Sequence, residues 1–253
     1  MGNNELDLSG KNAVITGGSR GIGREIAHRL GEAGCNVLIN YVENDDAARE
    51  VLDSLRFFNI RGISCKGDVS KPEVVERMIG LALEQFESID ILVNNAGIWE
   101  QGAVGEVDYD HWRRIMASNL DSVFNCCNAV IPYMIEQKSG NIINISSRSA
   151  RKGEKNSSAY VASKAAVIGF TRSLAREVGR HHINVNCIAP AWISTDMTEE
   201  YIESGDNEQN ILNNIPLGRI GQPRDVADIA LFFASDLSNY ISGETIFLTG
   251  GDF

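Results

Sequence analysis

Residues 12–23 read NAVITGGSRGIG, a short apolar run that passes directly into a glycine-rich turn. A helical pattern follows over residues 21–33, so the stretch predicts a strand, a tight turn and a helix. Glycine, which lacks a Cβ, lets the backbone come close to a pyrophosphate, and the first N–H groups of the helix would face that anion. The stretch therefore predicts a dinucleotide site at the start of a βαβ unit, although its spacing differs from GxGxxG.

The same alternation of strand and helix continues along the chain. Predicted strands cover residues 12–16, 36–41, 62–66, 89–94, 141–146, 183–189 and 245–249. Predicted helices cover residues 21–33, 44–58, 71–87, 110–137, 158–181 and 223–235. Several of these strands are nearly continuous apolar runs, as expected where helices cover both faces of a parallel sheet. We therefore predict an α/β fold, a single doubly wound Rossmann-type domain over residues 1–253, with a seven-stranded parallel sheet and helices on both faces.

Residues 194–221 interrupt this alternation with a polar, acidic segment between a strand and the last helix. Long connections at the carboxyl ends of parallel strands often form the rim of a ligand site. We therefore predict that residues 194–221 form a substrate-binding lid within the domain. The alternative is a solvated insertion without a role in binding.

The charge balance narrows the choice of partners. Among 253 residues, 23 Lys and Arg stand against 34 Asp and Glu, which gives a net charge of −11. Nucleic acid is an unfavourable partner for such a chain, because phosphate binding needs concentrated positive charge. No run approaches the roughly 18 apolar residues of a membrane-spanning helix, and the first residues lack the pattern of a secretory signal. We expect a cytoplasmic protein without a membrane or nucleic-acid partner.

The five cysteines lack the CxxC spacing of a zinc or redox site, and only four histidines accompany them. We therefore predict no metal site and interpret the cysteines as small core residues in a reducing compartment. Adjacent Cys126 and Cys127 leave a redox-active pair as the alternative.

The end of the second predicted strand bears on the choice of cofactor. Asn40-Tyr41-Val42 contains no acid that would hold the two hydroxyls of an adenine ribose, and Arg20 in the glycine turn is within reach of a 2′-phosphate. These features favour NADP(H). Glu43 leaves NAD(H) open, because its carboxylate could turn back to the ribose.

Tyr160 and Lys164 are four residues apart in a predicted helix, so their side chains share one face. An ammonium beside a phenol favours the phenolate, and activity near neutral pH requires the tyrosine pKa to fall by about 3 units. Such a tyrosine can protonate a carbonyl oxygen or deprotonate an alcohol. Alone, the pair is also compatible with an exposed polar pair on any helix.

Taken together, these segments resemble a classical short-chain dehydrogenase/reductase over the whole chain. The matching pieces, in the order typical of that family, are residues 16–23, Asp68-Val69, Asn94-Asn95-Ala96-Gly97, Asn119, Ser147, residues 160–164 and residues 190–197. Residues 174–178, 184–186 and 195–197 look most like the 3-oxoacyl-carrier-protein reductase branch. Similar sequence segments also occur in sugar, polyol and steroid dehydrogenases of the family.

The resemblance implies four catalytic residues. Tyr160 would be the general acid/base, and Lys164 would hold the nicotinamide ribose and lower the pKa of Tyr160. Ser147 would hydrogen-bond the substrate oxygen, with neighbouring Ser146 as the competitor for that role. Asn119, inside the long fourth helix, would hold a water that links Lys164 to solvent.

The resemblance also implies the cofactor contacts. Asp68 and Val69 would flank the adenine, Asn95 would reach the region of the adenine ribose, and Ile193 would touch the nicotinamide amide. The full candidate set is Gly17, Ser19, Arg20, Gly21, Ile22, Gly23, Asn40, Tyr41, Asp68, Val69, Asn95, Ala96, Gly97, Tyr160, Lys164, Pro190 and Ile193. Ala191 stands where relatives usually have glycine, which places a methyl group near the nicotinamide pocket.

The substrate is less determined than the reaction. Carrier-protein reductases use basic residues at the pocket rim, for which the candidates are Lys138, Arg172, Arg176, Arg180 and His181, with Arg148, Arg151, Lys152 and Lys155 just after Ser147. The second group could focus an anionic or carrier-bound acyl substrate, or could be only a solvated loop. An apolar site could be lined by Trp99, Trp192, Tyr201 and Ile202.

The leading hypothesis is an NADP(H)-dependent oxidoreductase that transfers hydride between nicotinamide and a carbonyl or secondary alcohol. The favoured substrate is a 3-oxoacyl thioester on an acyl-carrier protein. The alternatives are a sugar, polyol or steroid dehydrogenase using NAD or NADP, and a non-catalytic dinucleotide-binding scaffold. The resemblance also implies a homotetramer in which the helices near 110–137 and 158–181 pair with their counterparts.

Overall fold

The structure is a computed structural model that describes residues 6–252. Within them, the strands are β1 (Asn12–Ile15), β2 (Asn36–Tyr41), β3 (Gly62–Lys66), β4 (Ile91–Asn94), β5 (Gly140–Ile145), β6 (Ile183–Pro190) and β7 (Thr245–Leu248). All neighbours pair in parallel in the order β3-β2-β1-β4-β5-β6-β7. The predicted seven-stranded parallel sheet is confirmed. Its strand order reverses direction between β1 and β4, which opens a ligand crevice at the carboxyl ends of these strands.

The helices follow the predicted pattern with additions. They are α1 (Gly21–Glu32), α2 (Asp45–Leu55), α3 (Pro72–Phe86), α4 (Tyr109–Met116), α5 (Ser122–Gln137), α6 (Ser149–Lys152), α7 (Ser158–Val178), α8 (Asp196–Glu203), α9 (Asn207–Asn213) and α10 (Pro223–Ala234). Short 3₁₀ turns extend α2 and α7 to the ends of the predicted helices. The three short helices α6, α8 and α9 were not predicted, because each is less than three turns long and carries little periodicity.

Two apolar cores lie on opposite faces of the sheet, because successive side chains of a strand point to opposite faces. Val14 of β1 packs in the core that includes residues of α3, α5 and α7. Its neighbours Ala13 and Ile15 pack in the core that includes residues of α1, α2 and α10. Both faces of the sheet are therefore covered by helices, as predicted, and the carboxyl ends of the strands stay free for a site.

The predicted long helix over residues 110–137 is interrupted. A π-helical turn over Ala117–Asp121 separates α4 from α5. A π turn accommodates an extra residue in the helix and is frequent at functional sites. Asn119 lies in this turn, which corrects its predicted position inside a continuous helix.

Residues 194–221 contain α8 and α9, which pack against each other through Ile202, Ile211 and Ile215. The two ends of the segment are joined, since Gly221 N donates to the carbonyl oxygen of Trp192 at 3.0 Å and Ser194 N donates to Gly221 O at 2.9 Å. The segment is thus a closed loop with its own small apolar cluster. Its action as a substrate lid stays a prediction. In residues 6–252, no helix is both long and apolar enough to cross a membrane.

Candidate active site

The glycine turn after β1 has a backbone that requires glycine. Gly17 and Gly21 have φ angles of 62° and 53°, which disfavour other residues. A Cβ on Gly23 would lie 2.2 Å from the carbonyl oxygen of Gly17. Helix α1 begins at Gly21 without a side-chain cap or an acidic residue in its first turn, so its first N–H groups remain available to an anion. These residues fit the pyrophosphate of a nicotinamide dinucleotide.

Polar side chains from neighbouring strands hold this turn in place. Asn95 Nδ2 donates to the carbonyl oxygens of Thr16 and Gly17, both at 3.0 Å. Asn40 is almost fully buried, and its Nδ2 donates to the carbonyl oxygens of Cys65 at 3.1 Å and Gly67 at 2.8 Å. The side chains of Asn40 and Asn95 are thus bound to the backbone. Asn95 therefore supports the glycine turn and Asn40 supports the backbone at the end of β3, while the cofactor contacts expected of both stay a prediction.

The adenine side of the crevice is formed by residues at the ends of β2 and β3. Tyr41 donates its hydroxyl to Asp45 at 2.8 Å, and the carboxylate of Asp68 accepts from the backbone N and hydroxyl of Ser70 at 2.9 and 2.8 Å. Val69 is buried beside Asp68. Arg20 is exposed, with its guanidinium 3.9 Å from the Asp196 carboxylate at the start of α8. Arg20 is therefore free to turn toward a phosphate near the end of β2.

On the nicotinamide side, Pro190 ends β6 and Ile193 follows in a single-residue bridge with Gly221. Ile193 is buried, and its carbonyl oxygen accepts from Thr198 at 2.6 Å. This places Ile193 at the junction of the sheet and residues 194–221. Thr195 also reaches over the glycine turn, since a Cβ on Gly21 would lie 3.5 Å from its methyl group.

The four candidate catalytic residues lie at the carboxyl ends of β4 and β5. Ser147 follows β5, and Tyr160 and Lys164 lie one turn apart on α7. Lys164 Nζ donates to the carbonyl oxygen of Ile145 at 3.0 Å and lies 5.9 Å from the centre of the Tyr160 ring. The structure therefore brings Ser147, which follows β5, next to the Tyr160–Lys164 pair of α7.

Asn119 reaches the same region from the π turn. Its Nδ2 donates to the carbonyl oxygen of Ile98 at 3.0 Å, and its Oδ1 accepts from Ile98 N at 2.8 Å. A Cβ on Gly97 would lie 2.9 Å from Asn119 Oδ1 and 3.3 Å from Lys164 Nζ. The absence of a side chain at Gly97 thus leaves Asn119 and Lys164 facing the same small volume.

The two adjacent serines have different partners. Ser146 donates its hydroxyl to the carbonyl oxygen of Lys164 at 2.7 Å and is buried. Ser147 accepts from the hydroxyl of Ser149 at 2.9 Å and shares a side-chain hydrogen bond with Tyr160. Because Ser149 donates to Ser147, the proton of Ser147 is free to point at Tyr160. Ser147 therefore has the geometry of the substrate-binding hydroxyl, and Ser146 ties α7 to β5.

The pKa of Tyr160 departs from the expectation. Burial raises the pKa of Tyr160, and the hydrogen bond from Ser147 opposes this rise only in part. Burial lowers the pKa of Lys164 to about 8. The predicted depression of the Tyr160 pKa by Lys164 is therefore not present here, because the ammonium is directed at Ile145 and the phenol is desolvated.

Three aromatic side chains from separate segments meet beside this site. Trp192 and Tyr201 stack with ring centres 5.2 Å apart, and Trp99 meets them edge-on at 5.9 and 5.4 Å. Trp99 Nε1 donates to Ser157 at 3.2 Å, just before Tyr160. The structure thus brings these three predicted lining residues together, whereas Ile202 packs inside residues 194–221.

The basic residues after Ser147 do not form one cationic surface. Arg148 is buried against Asp252, and Lys152 pairs with the same carboxylate at 2.6 Å. Arg151 instead lies 5.3 Å from the centre of the Phe247 ring. The predicted four-residue patch is therefore divided, because Arg148 is buried against Asp252 whereas Lys152 stays exposed.

The other predicted docking residues also lie away from the site. Lys138 precedes β5, and His181 precedes β6, so both are near the amino ends of strands whose carboxyl ends form the site. Arg172, Arg176 and Arg180 belong to the second half of α7 and the turn after it. Within one protomer these five side chains are not at the pocket rim.

Sequence reasoning missed several residues of this site. Ser149 has a weak local signal, since a hydroxyl two residues after Ser147 can reach back to it. Asp252 has no local signal at all, because its partner Lys152 is 100 residues earlier in the chain.

Comparisons with known proteins agree with this geometry. Residues 17–252 match the family profile described as enoyl-(acyl carrier protein) reductase. The chain is 41% identical over 241 residues to the 3-oxoacyl-[acyl-carrier-protein] reductase FabG of Staphylococcus epidermidis, covering 95% of this chain and 98% of that protein. It is 42% identical over 245 residues to the FabG of Chlamydia trachomatis, covering 96% of this chain and 98% of that protein.

Solved structures give the same result. A structure of a putative short-chain alcohol dehydrogenase from Sinorhizobium meliloti has a TM-score of 0.94 and 35% identity, covering 98% of both chains. A structure of a putative gluconate dehydrogenase from Agrobacterium tumefaciens has a TM-score of 0.94 and 29% identity, covering 98% of this chain and 97% of that one. The chain therefore belongs to the short-chain dehydrogenase/reductase family and is an oxidoreductase of a family whose members use a nicotinamide dinucleotide.

Proposed function

We propose that this chain is an NADP(H)-dependent reductase of 3-oxoacyl thioesters carried by an acyl-carrier protein, with Tyr160 as general acid/base. The observation that carries the proposal is the convergence of Ser147, Tyr160, Lys164 and Asn119 beside the glycine turn. The two FabG relatives above 40% identity support the substrate class.

The positions of Ser147 and Tyr160 support the reduction of a carbonyl group. When held at this site, a reduced nicotinamide would supply the hydride for the carbonyl carbon. Ser147 hydrogen-bonds the carbonyl oxygen, where negative charge develops, and Tyr160 gives its proton to that oxygen. Because burial raises the pKa of Tyr160, the phenol stays protonated until the carbonyl oxygen needs the proton.

Lys164 and Asn119 would restore the proton. The volume above Gly97 lies between Asn119 Oδ1 and Lys164 Nζ, and a water there would have both as partners. With a pKa of about 8, Lys164 can lose and regain a proton near neutral pH. The family resemblance implies that the same ammonium would hold the nicotinamide ribose. We assign Lys164 both tasks.

Support for NADP(H) comes from exposed Arg20 and from the absence of an acid within β2. Glu43, which follows β2 and is exposed, keeps NAD(H) as the alternative. Tighter binding of NADH than of NADPH would overturn the preference.

We also propose a cytoplasmic homotetramer. Phe124 and Tyr133 of α5 are 53% and 42% exposed, which is unusual for large apolar side chains on a helix. Gly169 of α7 has open space around its missing Cβ, so a partner helix could approach closely. Light scattering should give a mass of four chains, and a monomeric mass would contradict the proposal.

A sugar, polyol or steroid dehydrogenase is the second candidate. The solved putative gluconate dehydrogenase supports the sugar variant, and the stacked Trp192 and Tyr201 offer the kind of flat apolar surface on which a sugar ring can pack. A non-catalytic scaffold is less well supported, since Ser147 pairs with Tyr160 and Lys164 lies close to both Tyr160 and Asn119.

A single assay separates these candidates. We would measure consumption of NADPH and NADH with acetoacetyl thioesters, sugars, polyols, steroids and simple ketones. We expect kcat/KM to be highest for the thioester with NADPH, by about tenfold or more. A higher value for a sugar or polyol would select the second candidate. Tight cofactor binding without turnover of any carbonyl would select the scaffold.

A further inference from the structure

A pocket opens beside the stacked Trp192 and Tyr201, and the mechanism above does not use it. Arg148, Lys152 and Asp252 form one wall, and Trp192 and Tyr201 form another. Arg148 follows the candidate substrate-binding serine directly in the chain. Ser147 does not itself line the pocket, so a molecule bound there would have to extend past Arg148 to bring its carbonyl to Ser147.

Among the described residues that line the pocket, two cations stand against one carboxylate, which leaves a positive excess. Asp252 contacts Arg148 and pairs with Lys152 at 2.6 Å, so two cations share one carboxylate. Glu154 acts on Arg148 from the same loop but does not line the pocket. An anion placed between Arg148 and Lys152 would complete the pairing of these charges.

Arg148 also has an unused donor. Its side chain is 8% exposed, and Nε has no hydrogen-bond partner among the described residues. Nε is itself closed to solvent, so an anion in the pocket would bind the part of the Arg148 side chain that lines it.

The opposite wall selects the rest of the ligand. Trp192 and Tyr201 are stacked within 2° of parallel and present apolar surface to the pocket. A short carbon chain would pack on these rings while its charged end reached Arg148. The pocket therefore fits a small organic acid better than a free inorganic anion.

We propose that this pocket binds the carboxylate of a second class of carbonyl substrate, so that the enzyme also takes short oxo-acid anions and the matching hydroxy acids. The proposal rests on the hydride and proton transfer proposed at Tyr160 and not on the thioester, which has no free carboxylate. In the reduction, the carbonyl carbon gains hydride from the reduced nicotinamide and its oxygen gains a proton from Tyr160. The carboxylate is unchanged and stays bound to Arg148 and Lys152.

Levulinate and its methyl ester provide the test, because they differ only in the charge at one end. The enzyme would first be saturated with oxidised NADP or NAD, whichever binds more tightly. Each compound would then be titrated in, and tryptophan emission would report binding because Trp192 lines the pocket. We expect levulinate to bind about tenfold tighter than the ester. Initial rates of the two compounds with the reduced cofactor should show the same difference in KM.

Lys152→Gln removes the positive excess and leaves the buried Arg148–Asp252 pair in place. Lys155→Gln is the matched control, since Lys155 is exposed in the same loop and has no ion pair among residues 6–252. We expect Lys152→Gln to weaken levulinate binding about fivefold or more without affecting the ester, and Lys155→Gln to change neither.

The outcomes separate the subsite from the proposed function. Equal binding of acid and ester, no binding of levulinate, or equal effects of the two lysine variants would overturn the subsite. If acetoacetyl thioesters are not reduced while levulinate still binds through Lys152, the thioester proposal fails and the subsite stands. If thioesters are reduced and the acid is not preferred, only the subsite fails.

Discussion

Lys164 Nζ donates a hydrogen bond to the carbonyl oxygen of Ile145 at 3.0 Å, which ties helix α7 to the last residue of β5. Among the described residues, no carboxylate forms an ion pair with this buried ammonium. Burial without an opposite charge disfavours the protonated form, so the pKa of Lys164 falls to about 8. The buried position of Lys164 therefore brings its pKa closer to neutral pH.

This position predicts a pH-dependent stability. The pKa of Lys164 is about 8 when folded and 10.5 when unfolded, so between these values the unfolded chain binds more protons. The unfolding free energy of the wild type, minus that of Lys164→Met, should therefore rise by about 3 kcal/mol as the pH increases from 8 to 10.5. Urea unfolding of both proteins between pH 8 and 10.5 would measure this difference in unfolding free energy. A difference that is flat with pH would show that Lys164 is not desolvated.

Tyr160→Phe should separate chemistry from binding. The variant keeps the ring and loses only the proton that the carbonyl oxygen receives, so kcat should fall by about 100-fold or more. Cofactor affinity, measured by fluorescence titration, should change little. Tyr133→Phe on the exposed surface of α5 is the control and should retain full activity. Retention of most activity in Tyr160→Phe would remove Tyr160 from its proposed role.

Gly97→Ala tests the volume between Asn119 and Lys164. The new methyl carbon would lie 2.9 Å from Asn119 Oδ1 and 3.3 Å from Lys164 Nζ, so both groups must move. We expect kcat to fall by about 10–100-fold, with a circular dichroism spectrum like that of the wild type. Gly80→Ala is the matched control, because a Cβ there has no neighbour within 4 Å and a helix interior favours alanine. Equal activity of the two variants would contradict the proposed proton route.

The two neighbouring serines should respond in opposite ways. Ser147→Ala removes the donor aimed at the carbonyl oxygen and should lower kcat by about 100-fold or more, with little change in melting temperature. Ser146→Ala removes a buried hydrogen bond to the Lys164 carbonyl and should destabilise the fold by about 1 kcal/mol, with kcat within a few-fold of the wild type. Steady-state rates and thermal unfolding of both variants give the answer. The reverse pattern would exchange the roles of the serines.

Most of the fold was predictable because it follows from local patterns. The apolar runs and the turn over residues 12–23 determine where strands start and where the first helix begins. The catalytic residues were predictable because Tyr160 and Lys164 are one helical turn apart and the remaining motifs follow in a familiar order. Short helices such as α6 and α8 were missed because they are stabilised by tertiary contacts rather than by their own periodicity.

The roles of several side chains could not be read from the sequence. Asn40 and Asn95 look like ligand contacts in a motif, and only the structure shows that their amides hold backbone carbonyls. Arg148 looks like a surface cation until Asp252, at the far end of the chain, is seen to contact it. Such pairings depend on long-range packing, for which sequence spacing carries no signal.

Arg20 provides the test of cofactor choice. It is exposed at the edge of the glycine turn, and its guanidinium lies 3.9 Å from Asp196, a distance that leaves it free to bind a phosphate. A hydrogen-bonded charge pair with a 2′-phosphate contributes about 1.5–3 kcal/mol, so Arg20→Ala should weaken NADPH binding by about 10–100-fold. NADH lacks this phosphate, and its affinity should change by less than about twofold.

Arg24→Ala is the matched control, because Arg24 is an exposed arginine one turn later on α1 and its loss lowers the net charge equally. We expect this variant to bind both cofactors like the wild type in titrations at one fixed salt concentration, since surface charge effects depend on ionic strength. If Arg20→Ala weakened the binding of NADPH and NADH alike, the cause would be a loss of general electrostatic attraction or a disrupted glycine turn. NAD(H), with its ribose bound by Glu43, would then be the better cofactor assignment. A selective loss of NADPH affinity in Arg20→Ala alone would assign the 2′-phosphate to this guanidinium.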